Sequence, residues 1–368
     1  MDNRRILRFN SISYFNNRIW FVPGEYACLM SSEICESEMT STVVVKLPGN
    51  RLMTHNSCGA INTIGNYTVI APLWFNDFFV YDHLNKTIKP VKLCDILDKD
   101  EWEKSPNEIC FSATTSFDNE VAFVGNKVPC VICFNDMGEI SKTIDFSNAS
   151  IRSSKLEFGH SVDKYNGRLF VPVKNEPGLI EINNDSKEYN ILQLKGDYGY
   201  SAICCAKDKG FLFSNSSTDV DIIDMKTKRI IDKVILPNNF CSNNSGVAYR
   251  SPLVFGDYIW AFPGSSNMII RIRINDGVAE CVKQCKEDGY KYLNAGRLGK
   301  ETIWAFSSID NTFEVWGDDV VNKVKSTVWS PDNLENLWAK ENITDYFDKT
   351  LLEDQWGLDK YINGILSY

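Results

Sequence analysis

Six residues recur at one point of a repeating pattern and are of types that bind or react: Asn10, Phe111, His160, Tyr200, Arg250 and Asn294. Each stands immediately before a small residue, Ser11, Ser112, Ser161, Ser201, Ser251 or Ala295, and Cys58 or Gly59 holds the same place ahead of Gly59 or Ala60. Small residues at a fixed point of every unit mark where units crowd towards a common axis and bulk does not fit. A guanidinium, an imidazole, a phenol and two carboxamides converging there would line a small-molecule site. Lys174, in a loop on the same face, would join Arg250 in favouring an anionic group. Trp74, in the turn "LWFND", is not needed for a core and can stack on a sugar or another flat ligand, or plug the channel. The alternative for the ring is that its members satisfy one another and channel water, as polar groups near an axis must.

Catalysis would fall to His160 as general acid or base, with Arg250 stabilising an anion. The chain has 3 histidines, and beyond His160 no triad, paired carboxylate or metal cluster accompanies the ring. Cys130-Val-Ile-Cys133 has the spacing of a redox or zinc pair, but it lacks the βαβ setting of the first and the second pair of the other. No metal and no cofactor is expected.

These positions are held by a repeat. Turn-prone pairs such as Asn16-Asn17, Gly65-Asn66, Asn166-Gly167 and Gly256-Asp257 precede short apolar runs, "RIWFV", "TVIAP", "RLFVPV" and "YIWAF" among them. Anchored on Arg18, Tyr67, Glu120, Arg168, Gly210, Tyr258 and Glu301, the spacings are 49, 53, 48, 42, 48 and 43 residues. A period of roughly 40 to 50 residues signals a β-propeller. In the fourth unit four strands are expected near 160–165, 168–172, 179–182 and 189–194, the second the most apolar because blades cover both its faces. The fold class is therefore all-β: a seven-bladed propeller over residues 5–330, with six blades the rival because the third strand of the first unit is weakly marked. Residues 331–368 read as a short helical tail, with Leu334, Leu337 and Trp338 on one stripe and Leu358, Tyr361, Ile362 and Ile365 on another. The tail packs on the propeller or on a partner.

Composition narrows the function. A net charge of -9 without clustered Lys and Arg excludes non-specific nucleic-acid binding. No run approaches the roughly 18 apolar residues of a membrane span, and "MDNRRILRFNSISYF" lacks a signal peptide's apolar segment. A cytoplasmic location is expected, with the 12 cysteines reduced and several serving as apolar strand positions. The excess of Asn, Lys and Ile suggests an AT-rich bacterial genome.

The repeats resemble the β-propeller superfamilies over nearly the whole chain, without the tandem glycines and spaced Trp of kelch repeats or a Trp-Asp ending. "RIWFVP" and "NMIIRIRI" are similar to the repeats of bacterial streptogramin-lyase-like propellers. That similarity lies in the buried strand pattern and carries no catalytic residue. The expected function is a binding or interaction module that presents a ligand or partner-protein site on the loop face around the channel. The alternative is a lyase or hydrolase acting on a carbohydrate-like or anionic small molecule at the channel mouth.

Overall fold

The computed structural model describes residues 11–23, 28–33, 41–47, 58–73, 77–97, 111–117, 119–126, 128–151, 156–215, 218–242, 247–285, 292–298, 302–307, 312–317 and 325–328. They form seven four-stranded antiparallel sheets, the blades of a propeller, spanning 12–46, 58–92, 113–145, 163–193, 200–233, 249–284 and 292–328. Within every blade the strands, here A to D, are paired in chain order. The first blade is complete, with strand C at Cys28–Glu33 and strand D at Ser41–Lys46, so there are seven blades and not six. Strand A of one blade packs on strand A of the next in blades 1 and 2, 2 and 3, and from 4 through to 7, which makes A the inner strand. The proposed tail helices at 331–368, and with them Leu334, Trp338 and Leu358, lie outside the described residues. No helix among the described residues is long and apolar enough to cross a membrane.

The turns explain why the sequence folds in these units. Between strands A and B the backbone takes positive φ at Asn16, Asn17, Gly65, Asn166, Gly167 and Gly256, as a tight hairpin between twisted strands requires. In blade 5 the left-handed residue is Lys207, so the turn is Lys207-Asp208 and strand B starts at Lys209, one residue ahead of the expected anchor Gly210. A second signal recurs between strands C and D. There Asp82, Asn135, Asn183 and Asp224 accept backbone N–H groups from their own turns, and Lys86, Gly138, Lys187 and Lys228 adopt positive φ.

Burial follows strand position. Strand B of blade 4, Arg168–Val173, is buried after its first residue, whereas strand D of blade 2, Thr87–Lys92, is mostly exposed. The apolar faces meet in seams between blades. In the seam of blades 2 and 3, Phe78 packs edge-on against Phe111 and Phe123 with ring centroids 5.0 and 5.5 Å apart. Each such side chain contributes about 1.5–3 kcal/mol on burial, which a single blade in water would forgo. Cys130 and Cys133, three apart on strand C of blade 3, belong to the cores on opposite sides of that blade. Burial pushes the Cys133 thiol up to about 12, which keeps it protonated and unreactive.

Polar contacts lock the seam between blades 4 and 5. The buried Glu181 carboxylate receives Arg168 at 3.0 Å and, from the turn of blade 5, Lys228 at 3.0 Å. Lys228 also lies 4.2 Å from the centroid of Phe170. Lys228→Met keeps the aliphatic stem but leaves Glu181 with one cation, and is expected to cost about 1–3 kcal/mol in denaturant unfolding.

Candidate functional site

Hydrogen bonds between side chains on successive inner strands bind the wall of the ring together. Ser13 and Thr63 join blades 1 and 2 at 2.8 Å. Asn62 donates to Thr114 and Ser116 of blade 3 at 3.0 and 3.3 Å. Ser112 and His160 Nδ1 link blades 3 and 4 at 3.3 Å, and Ser251 donates to Asn294 at 2.9 Å between blades 6 and 7. Polar residues of neighbouring inner strands thus satisfy one another, and of the expected ring members His160 and Asn294 take part, with Ser112 and Ser251 as partners.

His160 is positioned by backbone contacts on both sides. Ahead of strand A of blade 4, Asp163–Tyr165, the chain runs beside the end of strand B. Lys174 N donates to Glu157 O at 2.6 Å, Phe158 bridges Val173, and Gly159 N donates to Pro172 O at 2.8 Å. It then crosses to blade 5, where His160 N and Ser161 N both donate to Ser201 O, at 2.7 and 3.3 Å. Gly159 fits this crossing because a Cβ there would lie 2.4 Å from Ser201 O. Lys174 is held likewise, since Gly199 packs so closely that its own Cβ would lie 2.3 Å from Lys174 O.

The side chains of His160, Lys174 and Arg250 are all half-buried. Burial first, and then the positive charges of Arg250 and Lys174, hold the His160 imidazole down at about 3, far below its ordinary 6.5. It is neutral at physiological pH, and among the described residues both charges that act on it are positive. Arg250 sits on strand A of blade 6, Tyr249–Phe255, beside a β-bulge that puts Ser251 at φ +46°. Such bulges re-aim side chains at the rims of barrels and next to active sites. Asn294 is half-buried and engaged, accepting from Ser251 and from Ala295 N at 2.8 Å.

Two expected ring members stand elsewhere. Phe111 is fully buried in the seam of blades 2 and 3, where its ring contributes to the core. Tyr200 is fully buried as well, its hydroxyl donating to Asp221 Oδ2 at 2.8 Å. Its cross-strand partner is Ser214, whereas Arg250 pairs with Phe262 and Asn294 with Phe306. The counterparts of Tyr200 are Tyr249, opposite Pro263, and Tyr292, opposite Ser307. Asn10 and Trp74 lie outside the described residues. Asn267, in the turn between strands B and C of blade 6, is buried and ties that turn to the segment entering the blade, donating to Asn239 O and accepting from Cys241 N.

Tyr200 and Tyr292 belong to a device that the sequence reading missed. In blade 5, Tyr198 and Tyr200 both donate to the buried Asp221 of strand C, and Lys233 pairs with Asp219 at 3.1 Å. Burial first, and then the carboxylates, push the Tyr198 phenol up to about 12. In blade 7, Tyr292 donates to the buried Glu314 at 3.0 Å, and Lys283 of blade 6 reaches the same carboxylate at 2.7 Å. A lone acid within an apolar strand, as in "VDIID" and "TFEVW", was the available signal.

No protein-family profile matches the chain, and no curated protein is similar to it in sequence. Among solved structures, a catalytically inactive virginiamycin B lyase from Staphylococcus aureus with quinupristin superposes with a TM-score of 0.61 at 13% identity, covering 84% of this chain and 94% of that one. The likeness is one of fold. The computationally designed Ika8 protein superposes nearly as well, with a TM-score of 0.56 at 8% identity over 88% of this chain and 87% of its own. A streptogramin B lyase structure gives a TM-score of 0.57 at 14% identity over 75% of this chain and 84% of that one. A designed protein and two lyases thus share the fold with this chain, so any activity has to be argued from its own side chains.

Proposed function

We propose that the protein is a binding module that holds a small anionic ligand at the mouth of the propeller channel, between His160, Lys174 and Arg250. The observation that carries this reading is that, among the described residues, the charges acting on His160 are two cations, Lys174 of its own blade 4 and Arg250 of blade 6. An anion seated beside the imidazole would meet both positive charges. A guanidinium offers paired donors to a carboxylate, sulfate or phosphate, an ammonium adds a point charge, and Ser112 stands beside the imidazole.

The alternative is a lyase or hydrolase with His160 as its base. An imidazole held at about 3 is always unprotonated near neutrality but is a feeble proton acceptor, because general bases work best with pKa values near the working pH. Binding is therefore favoured over catalysis. A thermal-shift comparison of sulfate, phosphate, citrate and glucuronate with neutral glucose tests the reading. Anions are expected to raise Tm through binding linkage while glucose leaves it unchanged. Stabilisation by glucose alone would overturn the anionic site.

A further inference from the structure

The face opposite the proposed anion site, where strands A and B and strands C and D are joined, carries a second histidine in a different setting. Three hydroxyls and an imidazole form a row across the seam of blades 1 and 2. Ser13 Oγ lies 2.8 Å from Thr63 Oγ1, which lies 2.8 Å from Thr68 Oγ1, which lies 2.7 Å from His83 Nε2. Ser13 belongs to strand A of blade 1, Ile12–Phe15. Thr63 and Thr68 belong to strands A and B of blade 2, Cys58–Ile64 and Tyr67–Pro72. The His83 ring fills a box made by Phe15 and Trp20 of blade 1 and Tyr81 of its own blade, with centroids 4.6, 4.4 and 5.0 Å away.

A hydroxyl has one hydrogen to give, so the row points one way at a time. A neutral imidazole accepting at Nε2 sets the order Ser13 to Thr63 to Thr68 to His83, with every hydroxyl donating towards the histidine. An imidazolium donates at Nε2 and turns each hydroxyl round. Among the described residues Thr63 is the only hydrogen-bond partner of Ser13 Oγ, so reversal leaves the Ser13 hydrogen without an acceptor. The charge itself falls among three aromatic rings. Among the described residues Asp82 is the one charge acting on the imidazole, and its carboxylate is engaged with the Asn85 side chain at 2.7 Å and with Leu84 N and Asn85 N at 2.8 and 3.1 Å.

We propose that this row is a proton-sensitive latch: a proton taken up at His83 reverses the hydroxyls and loosens blade 1 from blade 2. Burial holds His83 at about 4 in the closed seam, against the favourable pull of Asp82, and an open seam returns it to an ordinary 6.5. The open state therefore binds the proton first, and opening grows as pH falls from the ordinary value towards the closed-seam one. Linkage gives roughly 20-fold more opening at pH 5 than at pH 7.

Amide hydrogen exchange on Ile12–Phe15 and Cys58–Ile64, corrected for intrinsic rates, reads this locally. The parent is expected to lose roughly 20-fold of protection there between the two pH values. His83→Gln, which offers Thr68 an acceptor but cannot charge, should lose none. An equal response in parent and variant would overturn the latch. Because the chain has 3 histidines, the His83 ring resonance can also be titrated in the unaltered protein. A midpoint at the ordinary value would overturn the proposal even if the variant failed to fold.

Discussion

Arg250→Ala is expected to weaken sulfate binding roughly 10- to 100-fold, the equivalent of one charge-assisted hydrogen-bonded contact. Arg250 is the nearer in effect of the two cations that depress His160. Its removal therefore has a second consequence that needs no ligand, in that the His160 imidazole should titrate higher than in the parent. The two readouts separate the causes. Lost affinity with a raised His160 midpoint is the signature of a charge taken out of a shared site, whereas lost affinity with an unmoved midpoint means that Arg250 acts elsewhere. Arg250→Lys should restore part of the affinity, because it returns the charge without the planar fork. Isothermal titration calorimetry with sulfate gives the first quantity and proton NMR the second.

Gly159→Ala carries the largest expected loss of stability, about 3 kcal/mol, seen as a fall in Tm of about 5 °C. The new methyl carbon would lie 2.4 Å from Ser201 O and 2.7 Å from Pro172 Cγ. Neither can yield cheaply. Ser201 O already accepts from His160 N and Ser161 N, and Pro172 lies in strand B, paired on its far side with Leu179. Gly167→Ala is the control, for it sits at φ +73° with nothing within 4 Å of its Cβ position. It meets backbone strain alone and should cost about 1–2 kcal/mol. If the two variants cost the same, the crossing from blade 4 to blade 5 is looser than described. Because the crossing also sets the His160 backbone, Gly159→Ala should weaken sulfate binding, and Gly167→Ala should not.

The blade count was legible because the A–B hairpin makes a local demand that sequence answers locally. Asn16-Asn17, Gly65-Asn66, Asn166-Gly167 and Gly256 supply the left-handed residues that the turn needs, at intervals set by the length of four strands. The C–D turns repeat as regularly, yet they went unread because their left-handed residue is often a lysine, Lys86, Lys187 or Lys228, and not glycine. Depth along the inner strand was harder to read. The bulges between Cys58 and Ile61, Tyr200 and Ala202, Arg250 and Leu253, and Tyr292 and Asn294 add residues without adding pairs. Counting back to a small residue therefore equated Tyr200 with Arg250, although its true counterpart is Tyr249. A bulge leaves no fixed mark in composition, so only cross-strand pairing reveals it. Phe111 failed for a related reason, since an aromatic at the start of a strand is as well used by a neighbouring blade's Phe78 as by a ligand.

The titration of His160 by NMR, with and without sulfate, tests the anion site most directly. His160→Gln identifies the resonance among 3 histidines, and sulfate keeps its charge across the range, so only the protein titrates. Without sulfate the midpoint is expected at about 3. With sulfate seated between Lys174 and Arg250, the anion stabilises the imidazolium, so the midpoint should rise and sulfate should bind more tightly as pH falls. A His160 midpoint near its ordinary value without sulfate, or one that sulfate does not move, would contradict the site.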